Sequence, residues 1–313
     1  VTGGEIAPQG DDIDIDIVIV NWNSGAHLSQ CLMALGPLVG RTMVVDNGSQ
    51  DQSADRVEVT GARLVRASRN LGFGAACNLG AAQAKAATIL FLNPDTKISA
   101  EAVKALHRIL SADRHIGIIG PALTDDTGQV VDTCSAFPRA MDFLGRMVGL
   151  DRLGLVRAPF QPEGEGLVDQ VMGACLLVRR EAFDRAQGFD PGFFLYFEEV
   201  DLCHRLHMIG FETHYWPKVQ AIHVGHGSSG QAKGARLDYW LTSRLIYARR
   251  HFGLSASLLI ALASLLVEPV ARAIALGASG RANQIPGALA AYVQYATKII
   301  AILARPTQNR PLP

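Results

Sequence analysis

One stretch constrains this chain more than any other: Ile89-Leu90-Phe91-Leu92 running into Asn93-Pro94-Asp95-Thr96. Four consecutive apolar residues after the alanine-rich segment 80–87 predict a short strand buried on both faces. Pro94 has no N–H to give a ladder, so the strand must stop there. Asp95 is then held at the carboxyl edge of a buried sheet, where open α/β sheets place their ligands. A carboxylate in that position suits a divalent cation, and a cation suits a diphosphate. It equally suits the cap of a helix opening near Ser99. The stretch alone leaves both roles open.

The residues before it repeat the same device. Residues 13–20 alternate and then become wholly apolar, a strand that ends in a polar turn at Asn21-Trp22-Asn23-Ser24. Residues 26–38 have helical spacing. A second strand at 43–45 ends in Asp46-Asn47, a polar helical stretch follows, and a third strand at 62–67 leads to Asn70 and Gly72. A helix through Lys85 precedes the key strand. Strand–helix alternation at this pitch means βαβ units and a mainly parallel sheet. Loops at one edge of such a sheet converge, so Asn21/Asn23, Asp46/Asn47, Asn70/Gly72 and Asn93/Asp95 should line one crevice of nucleotide size. No G-x-x-x-x-G-K-[ST] is present, which excludes a P-loop enzyme. Gly72-Phe73-Gly74 lacks the third glycine of a dinucleotide fingerprint and reads as a tight turn opening a helix.

Farther on, 116–121 reads as a strand, 130–138 as extended, and 141–161 as an irregular, mobile loop near an acceptor. A strand at 175–178 follows Gly173. The next dense cluster, 188–205, sets Glu198, Glu199 and Asp201 directly after the aromatic run that ends in Tyr196 and Phe197. Acids in a first helical turn suit the helix dipole. A carboxylate held against buried rings also has raised proton affinity and can serve as a general base. One of the three, Glu198 or Asp201, is assigned to the structural role. His223 and His226 lie near a glycine-rich loop, a pattern that suits metal or phosphate contact.

Composition sets the remaining bounds. Hydrophobic residues make up 49% and charged residues 19%, enough for a substantial core. Formal net charge is zero, yet from Gln231 onward ten Lys and Arg face only Asp238 and Glu268, an excess of eight positives. Those cations lie among Leu, Ile and Ala, which points to an anionic membrane surface and not to nucleic acid. The five cysteines are widely spaced and read as buried thiols in a reducing compartment. Residues 1–16 have neither the cationic nor the apolar region of a signal peptide, so a cytoplasmic location is expected.

Seven ordered stretches (17–24, 44–51, 70–80, 91–96, 173–179, 188–205 and 223–229) together resemble the inverting family 2 glycosyltransferases of GT-A fold, in their bacterial rhamnosyltransferase-like branch. The resemblance covers roughly residues 13–250. It implies an α/β, Rossmann-like sheet with flanking helices and a donor of the nucleoside-diphosphate sugar type, dTDP or UDP. Asp46 would read the base, with Asn21, Asn23, Asn70 and Gly72 nearby. Asp95 would be the metal-ligating acid, with Asn93 standing where the family's first acid stands. His223 would complete a Mg²⁺ or Mn²⁺–diphosphate site. Glu199, where Asp is more usual, would be the catalytic base. Gly173, Tyr196, Glu198 and Asp201 are acceptor-side candidates. No Q-x-x-R-W motif or series of membrane spans is present, which favours addition of a single sugar to a glycan or lipid-linked acceptor. A non-catalytic donor-binding subunit is the competing reading.

The expected organisation is a tail at 1–12, a catalytic domain at 13–253 and a helical segment at 254–313. Within that segment, 254–267 and 287–304 read as amphipathic helices lying on the inner membrane face. Packing against the body or against a second copy, as a homodimer, is the alternative.

Overall fold

The computed structural model describes residues 13–225 and 235–305. Residues 1–12 and His226 lie outside the described residues. In chain order the strands and α-helices are β1 (Ile15–Asn21), α1 (His27–Leu35), β2 (Thr42–Asp46), β3 (Arg63–Arg66), α2 (Phe73–Ala81), β4 (Thr88–Leu92), β5 (Thr96–Lys97) and α3 (Ala100–Ala112). Then come β6 (Ile116–Thr124), β7 (Cys134–Ser135), α4 (Ala140–Met147), β8 (Gly166–Val168), β9 (Gln170–Val171), β10 (Cys175–Arg179), α5 (Arg180–Arg185) and α6 (Glu198–Met208). The chain continues through β11 (Glu212–His223), α7 (Arg236–His251), α8 (Gly253–Leu266), α9 (Glu268–Ala278) and α10 (Ile285–Leu303).

The main sheet has the order β3-β2-β1-β4-β10-β6-β11-β5, with β8 on β11. From β3 to β4 every pairing is parallel. β10 then runs antiparallel to both β4 and β6, so the sheet is mixed beyond β4 and not mainly parallel throughout. This reversal matters for function, because it brings the start of β10, next to Gly173-Ala174, to the same edge as the end of β4. Every residue of β1, β2 and β4 is buried. Truncating Leu90 or Phe91 to Ala in such a strand costs about 2–5 kcal/mol. α2 lies close on β1 because Gly80 has no side chain there: a methyl group would strike Val18 and Val45.

Several expected elements are shorter than their spacing suggests. α2 stops at Ala81 and not at Lys85, because Asp16 accepts the backbone N–H groups of Lys85 and Ala86, and Asp14 that of Ala87 (3.0 Å). These carboxylates turn the chain into β4. α1 stops at Leu35, where Gly36 takes a positive φ of 53° and Pro37 enters a 3₁₀ turn. The stretch after Asp51 is turns with one short 3₁₀ piece (Glu58–Thr60). There Asp51 bonds the N–H of Gly25 and both polar groups of Ser53, competing with a helical ladder.

The region 141–161 is not an irregular loop. It opens with α4, whose Asp142 accepts the Arg139 N–H (2.8 Å) as an N-terminal cap. Phe143 and Met147 of α4 are buried with Phe193, Val200, Tyr247, Ile260 and Tyr292. That cluster runs continuously across residue 253 and joins the C-terminal helices to the body.

Candidate functional site

The polar tips of β1, β2 and β3 form one bonded edge. Asn21 and Asp46 are direct partners in the parallel ladder, as are Asp46 and Arg66. Asp46 is 5% exposed. Its Oδ1 accepts from Asn21 Nδ2 (3.3 Å) and the Ser49 N–H (3.3 Å), and its Oδ2 from Arg66 Nη1 (3.2 Å). A small pocket opens beside it, lined by Ser49, Gln50, Gln52, Asp55 and Arg66. Asn21 itself is fully buried and also bonds Ser53 (2.9 Å) and Ser24. It therefore orients Asp46 from behind and does not face a nucleotide. Asn23, with positive φ, accepts the Gln50 N–H (2.7 Å) and fixes the rim of the pocket.

Asn70 has a comparable internal role. Its Oδ1 accepts from Asn47 Nδ2 (3.0 Å) and the Gly72 N–H (2.9 Å), while Asn47 Oδ1 accepts the Leu71 N–H (2.8 Å). Gly72 has φ 87° and lies against the Phe194 backbone, where any Cβ would collide. The Phe73 N–H donates to the Phe194 carbonyl (2.9 Å). Gly72 thus ties the β3 edge to the aromatic run that leads into α6.

The helix α3 is capped by Ser99, whose hydroxyl accepts the Ala102 N–H (3.2 Å). Asp95 is therefore not the cap. It is 7% exposed, and its Oδ1 lies 3.4 Å from His223 Nε2. The antiparallel register that pairs Thr96 with His223 sets this approach. The Asn93 N–H donates to the Ala174 carbonyl (3.0 Å), which joins the end of β4 to Gly173. Gly173 in turn backs Glu199: a Cβ there would sit 3.5–3.7 Å from the Glu199 side-chain carbons. Two series of contacts thus run along this edge, one from Asp46 through Asn47 and Gly72 to Phe194, the other from His223 through Asp95, Asn93 and Gly173 to Glu199.

α6 opens on two successive left-handed residues, Tyr196 (φ 70°) and Phe197 (φ 68°). Such conformations in bulky residues cost about 1–3 kcal/mol each and persist only where the surroundings impose them. Here they aim the first turn. Tyr196 is held by Arg236 Nε (3.0 Å). Glu198 Oε2 and Glu199 Oε2 are both buried with no hydrogen-bond partner. Burial pushes the Glu199 carboxyl above the usual range; burial and the neighbouring Glu199 push Glu198 up further.

Asp201 differs and is corrected as an acceptor-side candidate. It is 0% exposed and bonded to Arg205 (2.7 Å), His251 (2.8 Å) and Arg250 (3.3 Å). Burial alone would raise its carboxyl, but the His251 hydrogen bond and the two guanidinium charges outweigh it and hold Asp201 below the usual range. Asp201 anchors α6 to α7. Asn47 is expected in the crevice; Ser49 and Arg66, which line the Asp46 pocket, are not singled out by motif. Asn47 and Ser49 lie within the 44–51 stretch, whereas Arg66 becomes visible only from the β2–β3 pairing.

Among the described residues no cluster of three or more His, Cys, Asp and Glu gathers to hold a metal. A single carboxylate with one imidazole still fits a divalent cation whose other positions go to phosphate oxygens and water, which is how Mg²⁺-type sites are commonly built.

Residues 16–142 match the family described as Glycosyl transferase family 2. The N-acetylglucosaminyl-diphospho-decaprenol L-rhamnosyltransferase of Mycobacterium tuberculosis is 29% identical over 272 residues, with 76% of this chain and 85% of that protein covered. Rhamnosyltransferase WbbL of Escherichia coli is 29% identical over 164 residues, covering 52% and 61%. In fold, the chain is similar to the mannosyltransferase PcManGT from Pyrobaculum calidifontis in complex with GDP-Man and Mn²⁺. The TM-score is 0.54 at 16% identity, over 96% of this chain and 90% of that one. GalNAc-T7 with UDP, GalNAc and Mn²⁺ gives 0.52 at 16% identity, over 68% of this chain and 44% of that one.

Proposed function

Because residues 16–142 match the family 2 glycosyltransferases and the chain has the GT-A fold of its solved neighbours, we propose that it is a glycosyltransferase of that family and moves a single rhamnose-like deoxyhexose, with inversion, from a dTDP- or UDP-type donor. The acceptor is a hydroxyl of a glycan or of a polyprenyl-diphosphate-linked sugar in cell-envelope polysaccharide synthesis, at the inner face of the membrane. The names of the two rhamnosyltransferase relatives support the sugar, and that of the mycobacterial one the lipid-linked acceptor. The single observation that carries the reading is the Glu199 carboxylate facing Gly173, whose Oε2 is shut off from solvent with no hydrogen-bond partner, one short backbone step from Asn93 and Asp95.

The residues divide the work. The Asp46 pocket, stiffened by Asn21 and Ser49 and flanked by Arg66, receives the base. Gly72 and Asn70 shape the loop beside the donor. Asp95 and His223 would hold a Mg²⁺ or Mn²⁺ ion, which when bound neutralises charge on the diphosphate leaving group. Glu199 takes the proton as the acceptor oxygen attacks the anomeric carbon from the face opposite the departing phosphate, so one displacement inverts that centre. Its buried setting raises its basicity while leaving a free lone pair for that proton.

The test is a transfer assay on purified protein with a panel of nucleotide sugars, each also screened for thermal stabilisation. Preferential stabilisation and turnover by a deoxyhexose nucleotide supports the reading. Stabilisation by nucleotide sugars without transfer or hydrolysis would favour a binding subunit.

A further inference from the structure

The helix α8 is inside out. Its sequence Gly253–Leu266 contains no charged residue, and its two interior polar residues, Ser257 and Ser264, are each 0% exposed. The side facing solvent carries Leu254, Leu258, Leu262 and Leu266, one helical turn apart, and the pattern continues on α9 with Val270 and Ile274. These six side chains are between 43% and 70% exposed. A helix packed on a soluble body presents the opposite arrangement. The cause lies beneath it: Arg244 of α7 is fully buried and donates to Ser264 (2.8 Å) and Glu268 (2.5 Å). Glu268 also accepts from Arg272 (3.1 Å). Ser257 and Ser264 are gathered inward beside Ile260 and Ala261, and the row of leucines is left outside.

We propose that the outward face of α8 and α9 is a docking surface for an anionic lipid bilayer, on which the chain lies without crossing it. This deepens the peripheral-membrane part of the proposed function and does not depend on the donor sugar. α4 packs on both helices and adds Met141, while the turn after it adds Leu153 and Leu155, each about as exposed as the α8 leucines. The charge around this surface is one-sided. Residues 139–157 hold four Arg against Asp142 and Asp151, and Asp142 is buried as a cap. Residues 254–305 hold four Lys and Arg, of which Arg272 pairs with buried Glu268 (3.1 Å) and Lys298 with buried Asp238 of α7 (2.5 Å), an excess of two positives.

Cations around an apolar face suit anionic headgroups. A second copy of the chain would instead bring the same arginines face to face. Crossing by α8 is disfavoured by length: its 14 residues span about 21 Å, short of the ~30 Å hydrocarbon layer. The path then bends by 41° at Glu268. The segment Ala282–Leu303 is long and apolar enough to cross, but its Tyr292, Tyr295 and Ile302 are buried in the cluster shared with α7 and α8. The surface also connects to the catalytic helix, since Phe143 of α4 packs edge-on against Phe197 (5.6 Å), the residue before Glu198.

The full chain is tested by co-sedimentation with phosphatidylcholine vesicles, with and without phosphatidylglycerol, and by sedimentation velocity. The expected result is a monomer that binds the anionic vesicles, with affinity falling about tenfold or more in L258E/L262E while donor hydrolysis is unchanged. A second variant, Leu262→Trp, should show a blue shift of its emission on adding those vesicles. Binding by L258E/L262E equal to the parent, no emission shift, or a dimer that L258E/L262E dissolves would overturn the proposal. Vesicle binding without donor hydrolysis would instead leave this surface standing and remove the transferase reading.

Discussion

The first turn of α6 and the face of α6 toward α7 make opposite uses of buried carboxylates. Asp201 is surrounded by Arg205, Arg250 and His251, and its charge is offset on every side. Glu198, three positions earlier and buried, and Glu199, two positions earlier and half-buried, each have one carboxylate oxygen shut off from solvent and left unbonded. One arrangement holds a helix in place. The other keeps a carboxylate underused, which stability alone would select against, since an unmet buried polar group costs about 1–3 kcal/mol. The contrast separates the acid spent on structure from those that the proposed mechanism draws on. It also explains why the strained Tyr196-Phe197 pair is tolerated: the Asp201 network behind it fixes where α6 begins.

The comparison can be broken most sharply at Glu199. Glu199→Gln should lower kcat by about 10³-fold, within the range for losing a general base, while thermal stabilisation by donor persists. Near-parental turnover would remove Glu199 from the mechanism. Asp201→Ala should act on stability, lowering unfolding free energy by about 3–5 kcal/mol, because two guanidinium groups and His251 lose a buried partner. Denaturant melts measure this. The depressed Asp201 carboxyl makes the same point by pH: its contribution is complete above the unfolded value of about 3.9 and is lost as pH falls through its lower folded value.

A smaller effect is expected at Asp95. Asp95→Ala should weaken donor binding by about tenfold or more when Mn²⁺ is supplied and much less in chelator, as read by titration calorimetry. Smallest is the shift in pH profile. Because Glu199 must be ionised to act and its folded carboxyl is raised, the acid limb of kcat/KM should lie above the ordinary Glu value of about 4.3. In Glu198→Gln that limb should stay where it is, because Glu198, raised further, is already neutral when Glu199 ionises.

Much of this was legible from residues in order. β1, β2 and β4 are apolar runs stopped by polar clusters, and a period-2 or continuous apolar pattern is local information. That the ends of β2 and β4, which carry Asp46 and Asp95, share one edge followed from strand–helix alternation; Glu199 stood out only through its acidic run and the family resemblance. Asp14 and Asp16, which cut α2 short from more than 60 residues away in sequence, could not be seen that way. Nor could the reversal of β10, which depends on which strands become neighbours.

The sequence by itself determined the parallel β1–β4 unit, the polar strand ends and the acids of α6, since each rests on hydrophobic period and turn chemistry within a few residues. Only the tertiary structure decided that Asn21 supports while Asp46 faces the pocket, that Asp201 is spent on Arg250 and His251 besides Arg205 one helical turn away, and that α8 turns Ser257 and Ser264 in and Leu254, Leu258, Leu262 and Leu266 out. The physical reason is common to all three. Whether a polar group is satisfied depends on distant partners brought within 3 Å or so, and spacing along the chain carries no record of them.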